Sequence, residues 1–150
     1  MKHFKCILVL FVALSLQACL ASSFDVEFHE KNGIVVPADG GIYCFQIEAV
    51  ETKTSFTSCL RRFKYRVIID DEVIDQQFVG ICLYNQHIKV GEQWKIEFSV
   101  PENVTSAQRT VRVEVIKEKD IRCSDDPDSF DPGNNSWETI WEAKQLSHSS

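Results

Sequence analysis

The sequence predicts an all-β fold, and two observations carry that prediction. Three runs alternate apolar and polar residues one by one, and no segment beyond the N-terminal region shows a helical stripe. A strict period of two places successive side chains on opposite faces of a strand, one toward a core and one toward water.

The first run is Phe63-Lys-Tyr-Arg-Val-Ile-Ile69, where Phe63, Tyr65, Val67 and Ile69 share a face and Lys64 and Arg66 oppose them. Trp94-Lys-Ile-Glu-Phe-Ser-Val100 repeats the pattern through Trp94, Ile96, Phe98 and Val100, and Thr110-Val-Arg-Val-Glu-Val-Ile116 through Val111, Val113 and Val115. Weaker strands are predicted at 24–28, 34–36, 42–50, 72–79 and 136–143. The turn Ala38-Asp-Gly-Gly41 precedes one of them, and Asp70-Asp71 turns a hairpin between 63–69 and 72–79. About seven to eight short strands with frequent turns predict an immunoglobulin-like antiparallel β-sandwich, with a closed barrel as the alternative.

The N-terminus reads as an export signal. Lys2 and Lys5 precede an apolar run of about ten residues, the length of a signal-peptide core and too short to span a bilayer as a helix. Leu16-Gln-Ala-Cys19 is similar to the bacterial lipoprotein box, which implies a diacylglyceryl thioether on Cys19 and cleavage just before it. The alternative is cleavage after Ala21, which discards Cys19 and leaves a secreted protein. The chain therefore divides into a signal peptide at 1–18, a lipid-anchored segment at 19–32, a sandwich at 33–145 and a disordered tail at 146–150. Several acyl chains anchor a protein stably to a membrane where one does not.

Without the signal, 14 basic residues face 22 acidic ones, a net charge of −8. That balance argues against nucleic acid as a partner, because phosphate binding needs clustered Lys and Arg. Four cysteines remain after export: Cys44, Cys59, Cys82 and Cys123. In an oxidising compartment they predict two disulfides, with three connectivities open. Zinc sites use closely paired ligands, and these cysteines are spaced too widely for that signature, so free buried thiols are the alternative to disulfides.

The segment Ser124-Asp-Asp-Pro-Asp-Ser-Phe-Asp-Pro-Gly-Asn-Asn135 breaks the alternation and reads as an exposed loop. Asp125, Asp126, Asp128 and Asp131 supply hard oxygen ligands and make it the candidate Ca2+ site, although their spacing is not that of a calcium-binding loop. Aromatic side chains are the candidates for stacking on sugars or anchoring a protein partner. Trp94 falls on a core face. Trp137 and Trp141 read as sharing one face of the last strand, one of them in the core, and Tyr84 and Phe130 lie on loops.

No catalytic signature is present. His29, His87 and His148 belong to no metalloprotease pattern, and there is neither a G-x-S-x-G elbow nor a phosphate-binding loop. Asn103-Val-Thr105 and Asn134-Asn-Ser136 are glycosylation sequons, relevant only in a eukaryotic source.

Two segments carry a family resemblance. Val35-Val-Pro-Ala-Asp-Gly-Gly41 resembles the opening of BACON domains, small modules of Bacteroidetes surface proteins. Val100-Pro-Glu-Asn-Val-Thr-Ser-Ala-Gln-Arg-Thr-Val-Arg-Val-Glu-Val115 resembles their closing half, through Asn103, Thr105, Arg109 and Val113. The resemblance, over roughly 33–145, implies an immunoglobulin-like fold and a role in carbohydrate or mucin binding. The four cysteines and the acidic loop depart from the family pattern. The expectation is thus a non-catalytic envelope lipoprotein that recognises glycan or protein. The alternative is a structural component or secreted inhibitor acting through protein contacts.

Overall fold

The computed structural model describes residues 21–55, 59–82 and 88–148. The expected signal peptide, Cys19, Tyr84 and His87 lie outside these residues. The described strands are β1 (Ala21–His29), β2 (Lys31–Val36), β3 (Gly41–Ser55), β4 (Cys59–Leu60), β5 (Phe63–Ile69), β6 (Glu72–Val79), β7 (Gln93–Val100), β8 (Arg109–Lys117) and β9 (Glu138–Gln145). They form two sheets, one ordered β4-β1-β3-β7 and the other β2-β9-β8-β5-β6. The two sheets stack as a sandwich, as the alternation predicted.

The sandwich is not wholly antiparallel: β1 pairs parallel with β4, and β2 pairs parallel with β9. The reason for the second is local. Only Glu30 separates β1 from β2, too little chain for a hairpin within one sheet. The chain instead steps to the other sheet, where β2 runs beside β9 in the same direction. The domain also starts earlier than position 33. β1 pairs with β3 along its length, and Phe24 and Val26 are buried. At the other end, the Leu146 N–H donates to the Val36 carbonyl at 2.9 Å, and His148 meets Glu102 at 2.9 Å, so 146–148 are tied to the domain.

The three alternating runs became β5, β7 and β8 with the expected faces inward. Val67, Val111 and Val113 are fully buried. Trp94 and Ile96 are only half-buried, because β7 is the free edge of its sheet. Phe45 of β3 sits at the centre, with Tyr65 at 5.3 Å and Phe28, Phe63 and Phe98 at about 6.4 Å between ring centroids. Offset and edge-on pairs of this kind add to the stabilisation from burying the rings themselves.

The turns follow from residue chemistry. Asp70 and Asp71 both take positive φ, 47° and 69°, as a tight hairpin turn between β5 and β6 requires. Asp tolerates this left-handed region better than most residues. Gly40 has φ +76°, and a Cβ there would lie 2.1 Å from the Val100 carbonyl oxygen, so only glycine lets this turn lie against the end of β7.

The segment from Val100 to Val115 ties the loops together. Asn103 is fully buried. Its amide donates to the carbonyls of Ala107 at 2.9 Å and Leu146 at 3.0 Å, and its oxygen accepts from the Thr105 N–H and hydroxyl at 3.0 and 2.7 Å. Arg109 donates to Gln145 at 2.7 Å and to the Glu102 carbonyl, while buried Gln145 donates to the Pro101 carbonyl at 2.8 Å. The first sequon is therefore structural, its amide nitrogen enclosed. Replacing Asn103 with alanine is expected to cost about 2 kcal/mol, because the Ala107 and Leu146 carbonyls lose their donor. Urea unfolding of the variant would measure that loss.

Candidate functional site

The most organised polar feature is the acidic segment, and it is built around an arginine. Arg62 lies in the two-residue link between β4 and β5 and is almost completely buried, as is Glu118 just after β8. The Arg62 guanidinium grips the Glu118 carboxylate with two bonds of 2.6 Å. Its remaining hydrogens reach the Ser124 carbonyl at 3.0 Å, the Asp126 carbonyl at 3.1 Å and the Ser129 hydroxyl at 3.0 Å. Arg122 also bonds Glu118, and the Asp131 N–H donates to the same carboxylate at 3.1 Å. A planar fork suits a bidentate carboxylate together with several carbonyls, which an ammonium does not. Burial by itself would raise the Glu118 carboxyl. The hydrogen bonds from Arg62, Arg122 and the Asp131 backbone outweigh it and hold the group below its ordinary value.

The four candidate calcium ligands are not brought together. Asp126 caps a single 3-10 turn at Pro127–Ser129 by accepting from the Asp128 N–H, and Asp131 pairs with Lys119 at 3.0 Å. Asp125, Asp126 and Asp128 are exposed. Among the described residues these aspartates form no group of three with oxygens within 4.8 Å of one another. The cation that organises the segment is the Arg62 guanidinium, so the backbone carbonyls of Ser124 and Asp126 point to it.

The aromatic candidates separate. Trp141 is buried at 1% exposure, 4.9 Å from Phe98 and 5.6 Å from Tyr43, and belongs to the core. Phe130 is half-buried, edge-on to Phe78, with the Lys64 ammonium 4.8 Å from its ring. It seats the acidic segment against β5 and β6. Trp137 is half-buried, and the Arg66 guanidinium stacks over it at 4.2 Å. Arg66 is in turn bonded to Glu114 at 2.7 and 2.9 Å. Trp137 and Trp141 do not share a face. Val113 pairs with Trp141 and the adjacent Glu114 with Thr139, so Ile140 is an extra residue. That bulge reverses the alternation between the two tryptophans.

Residues flanking Trp137 line a cleft of about 240 Å³: Asn134, Asn135, Ser136 and Glu138, with Val115 and Lys117 behind them. Its side chains offer amide, hydroxyl, carboxylate and ammonium groups. The Asn135 amide donates to the Lys117 carbonyl at 3.0 Å, which fixes one wall. Sequence reasoning passed over this cleft because its residues come from a loop and two strand ends. It also passed over Arg62 and Glu118, whose only trace in the sequence is a charged residue adjoining an apolar strand.

Among the described residues the cysteines form one disulfide and two thiols. Cys59 and Cys123 are bonded, with Cα atoms 5.6 Å apart, while Cys44 and Cys82 are free. Two disulfides were expected. Cys82 lies beside Cys59 and not near Cys44, so the second pair does not form. Of the histidines, His29 pairs with Glu48 at 2.8 Å across β1 and β3, and His148 sits among exposed acids.

Similar solved structures are CARDB domains. A crystal structure of one from Pyrococcus furiosus, in complex with di-metal ions, aligns with a TM-score of 0.37 at 12% identity, covering 86% of this chain and 94% of that one. A solution NMR structure of a CARDB domain from the same organism gives 0.39 at 14% identity, covering 87% and 96%. No protein-family model and no curated protein matches the sequence. These similarities concern the fold alone. Many unrelated functions use a β-sandwich scaffold.

Proposed function

We propose that this protein is a non-catalytic binding module of an exported, lipid-anchored envelope lipoprotein, and that it recognises a saccharide at the polar cleft lined by Asn134, Asn135, Ser136 and Glu138. The observation that carries the reading is the cleft itself. Amide, hydroxyl and carboxylate groups from Asn134, Asn135, Ser136 and Glu138 line it together with Lys117, while the Trp137 indole stacks on Arg66 and is not part of the lining. Such side chains both donate and accept hydrogen bonds, as recognition of sugar hydroxyls requires. At about 240 Å³ the cleft suits one terminal sugar unit and falls below the range of larger ligand pockets.

The lipoprotein box at Cys19 and the BACON-like segments support the same reading, because both belong to envelope proteins. The anchor would be a diacylglyceryl group on Cys19, with the domain exposed at the membrane surface. A protein ligand seated on the stacked Arg66–Trp137 pair is the second reading, since Arg and Trp are frequent anchors of protein interfaces.

A glycan array probed with the protein tests the proposal. Replacing Asn134 and Glu138 together with alanine is expected to abolish saccharide binding with the melting curve nearly unchanged, since both cleft residues are exposed. Saccharide binding that survives this change, or none on any glycan, removes the saccharide reading. Mass spectrometry of the mature N-terminus tests the anchor separately, by finding either acylated Cys19 or an unmodified start at Ser22.

A further inference from the structure

Three cysteines meet at one point outside the cleft. The Sγ atoms of Cys59, Cys82 and Cys123 lie within 4.8 Å of one another, and the Cys82 Sγ is 3.0 Å from that of Cys59. We propose that they form a thiol–disulfide exchange site in which Cys59 is the shared sulfur and Cys82 and Cys123 are alternative partners.

The backbone accommodates both pairings. Cys59 and Cys123 have Cα atoms 5.6 Å apart, in the middle of the disulfide range. Cys59 and Cys82 are directly opposite in an antiparallel bridge, next to the bond from the Leu60 N–H to the Ile81 carbonyl. Opposite residues in such a pair have Cα atoms about 4.5–5.5 Å apart, which is also within disulfide range. Exchange therefore needs side-chain rotation and no strand movement.

The step balances without an oxidant. Cys82 loses its proton, and its thiolate attacks the Cys59 Sγ. The Cys59–Cys82 bond forms as the Cys59–Cys123 bond breaks. The bonding pair leaves with Cys123 as a thiolate, which takes up the proton. One disulfide and one thiol are present before and after. The reverse step is the same reaction with Cys123 attacking.

A metal site is the weaker use of this cluster. Closed structural zinc sites hold four ligands, and the group contains three sulfurs and no fourth His, Cys, Asp or Glu among the described residues. The exchange also has a structural result. Cys123 lies between Arg122 and Ser124, whose carbonyl is held by Arg62. When its disulfide opens, the acidic segment keeps the Arg62–Glu118 clamp, and the free thiol moves from the β-bridge to that segment.

Peptide mapping tests the proposal. The protein is purified without reductant, held at pH 8, quenched in acid and labelled with N-ethylmaleimide under denaturing conditions. Both disulfides, Cys59–Cys123 and Cys59–Cys82, are expected, with label divided between Cys82 and Cys123 in a ratio that no longer changes with time. Cys59–Cys123 as the sole disulfide, with label on Cys82 and none on Cys123, would overturn it. So would a disulfide to Cys44. As a second measure, Cys123→Ser and Cys82→Ser are each oxidised in a glutathione buffer, and each is expected to form the remaining Cys59 disulfide completely. A folded Cys123→Ser protein whose Cys59 and Cys82 are both still labelled overturns the proposal independently of the wild-type ratio.

Discussion

Replacing Arg62 with alanine is expected to lower the unfolding free energy by about 3–5 kcal/mol, because it leaves the Glu118 carboxylate buried without its main partner. Nothing on the surface of this domain is expected to cost as much. The guanidinium satisfies both Glu118 oxygens and also the Ser124 and Asp126 carbonyls and the Ser129 hydroxyl. Removing it orphans several buried acceptors at once. Arg62→Lys should recover only part of the loss, since an ammonium cannot bridge the carboxylate and the carbonyls together. Replacing Arg62 and Glu118 together by leucine is expected to be less harmful than Arg62→Ala, because no buried charge then remains unpaired. Urea unfolding of the variants would rank them, and equal stabilities for Arg62→Ala and wild type would show that the clamp contributes nothing.

The same pair has a pH signature. The folded Glu118 carboxyl is held below its ordinary value of 4.5. A group depressed on folding adds stability that is fully present above its unfolded value and is lost as pH falls through its folded value. Stability should therefore decline on the acid side of pH 4.5, and Glu118→Gln, less stable at neutral pH, should show a shallower decline there.

Trp141→Ala is the second large effect, expected at about 3–5 kcal/mol, the usual cost of emptying a buried tryptophan site. The ring lies between Phe98 and Tyr43 and is inaccessible to solvent, so the loss is one of packing. Trp137→Ala should cost far less, since its main contact is a surface guanidinium. Thermal unfolding of the two variants separates a core tryptophan from a presented one. Similar losses in both would mean that Trp137 is also part of the core.

The strands were legible because their signal is local. Phe63, Tyr65, Val67 and Ile69 announce an inward face within seven residues, and Asp70-Asp71 announces the turn that follows. The pairing of Trp137 with Trp141 was misread for an equally local reason. One inserted residue, Ile140, reverses a period-two pattern, and nothing in the types of residues 137–141 marks the insertion. The acidic segment was recognised as a loop, but its aspartates drew attention to an external cation. The cation that organises it is a side chain from the β4–β5 link, 56 residues away from Glu118.

By itself, the sequence determined the all-β class, most strand positions, the inward faces of β5, β7 and β8, and the β5–β6 turn. Each depends on neighbours within a few residues. Only the tertiary structure decided the parallel placement of β2 beside β9, the Arg62–Glu118 clamp, and the meeting of Cys59, Cys82 and Cys123. Each of these joins groups far apart in the chain, and a spacing along the sequence says nothing about which distant strand lies next to which.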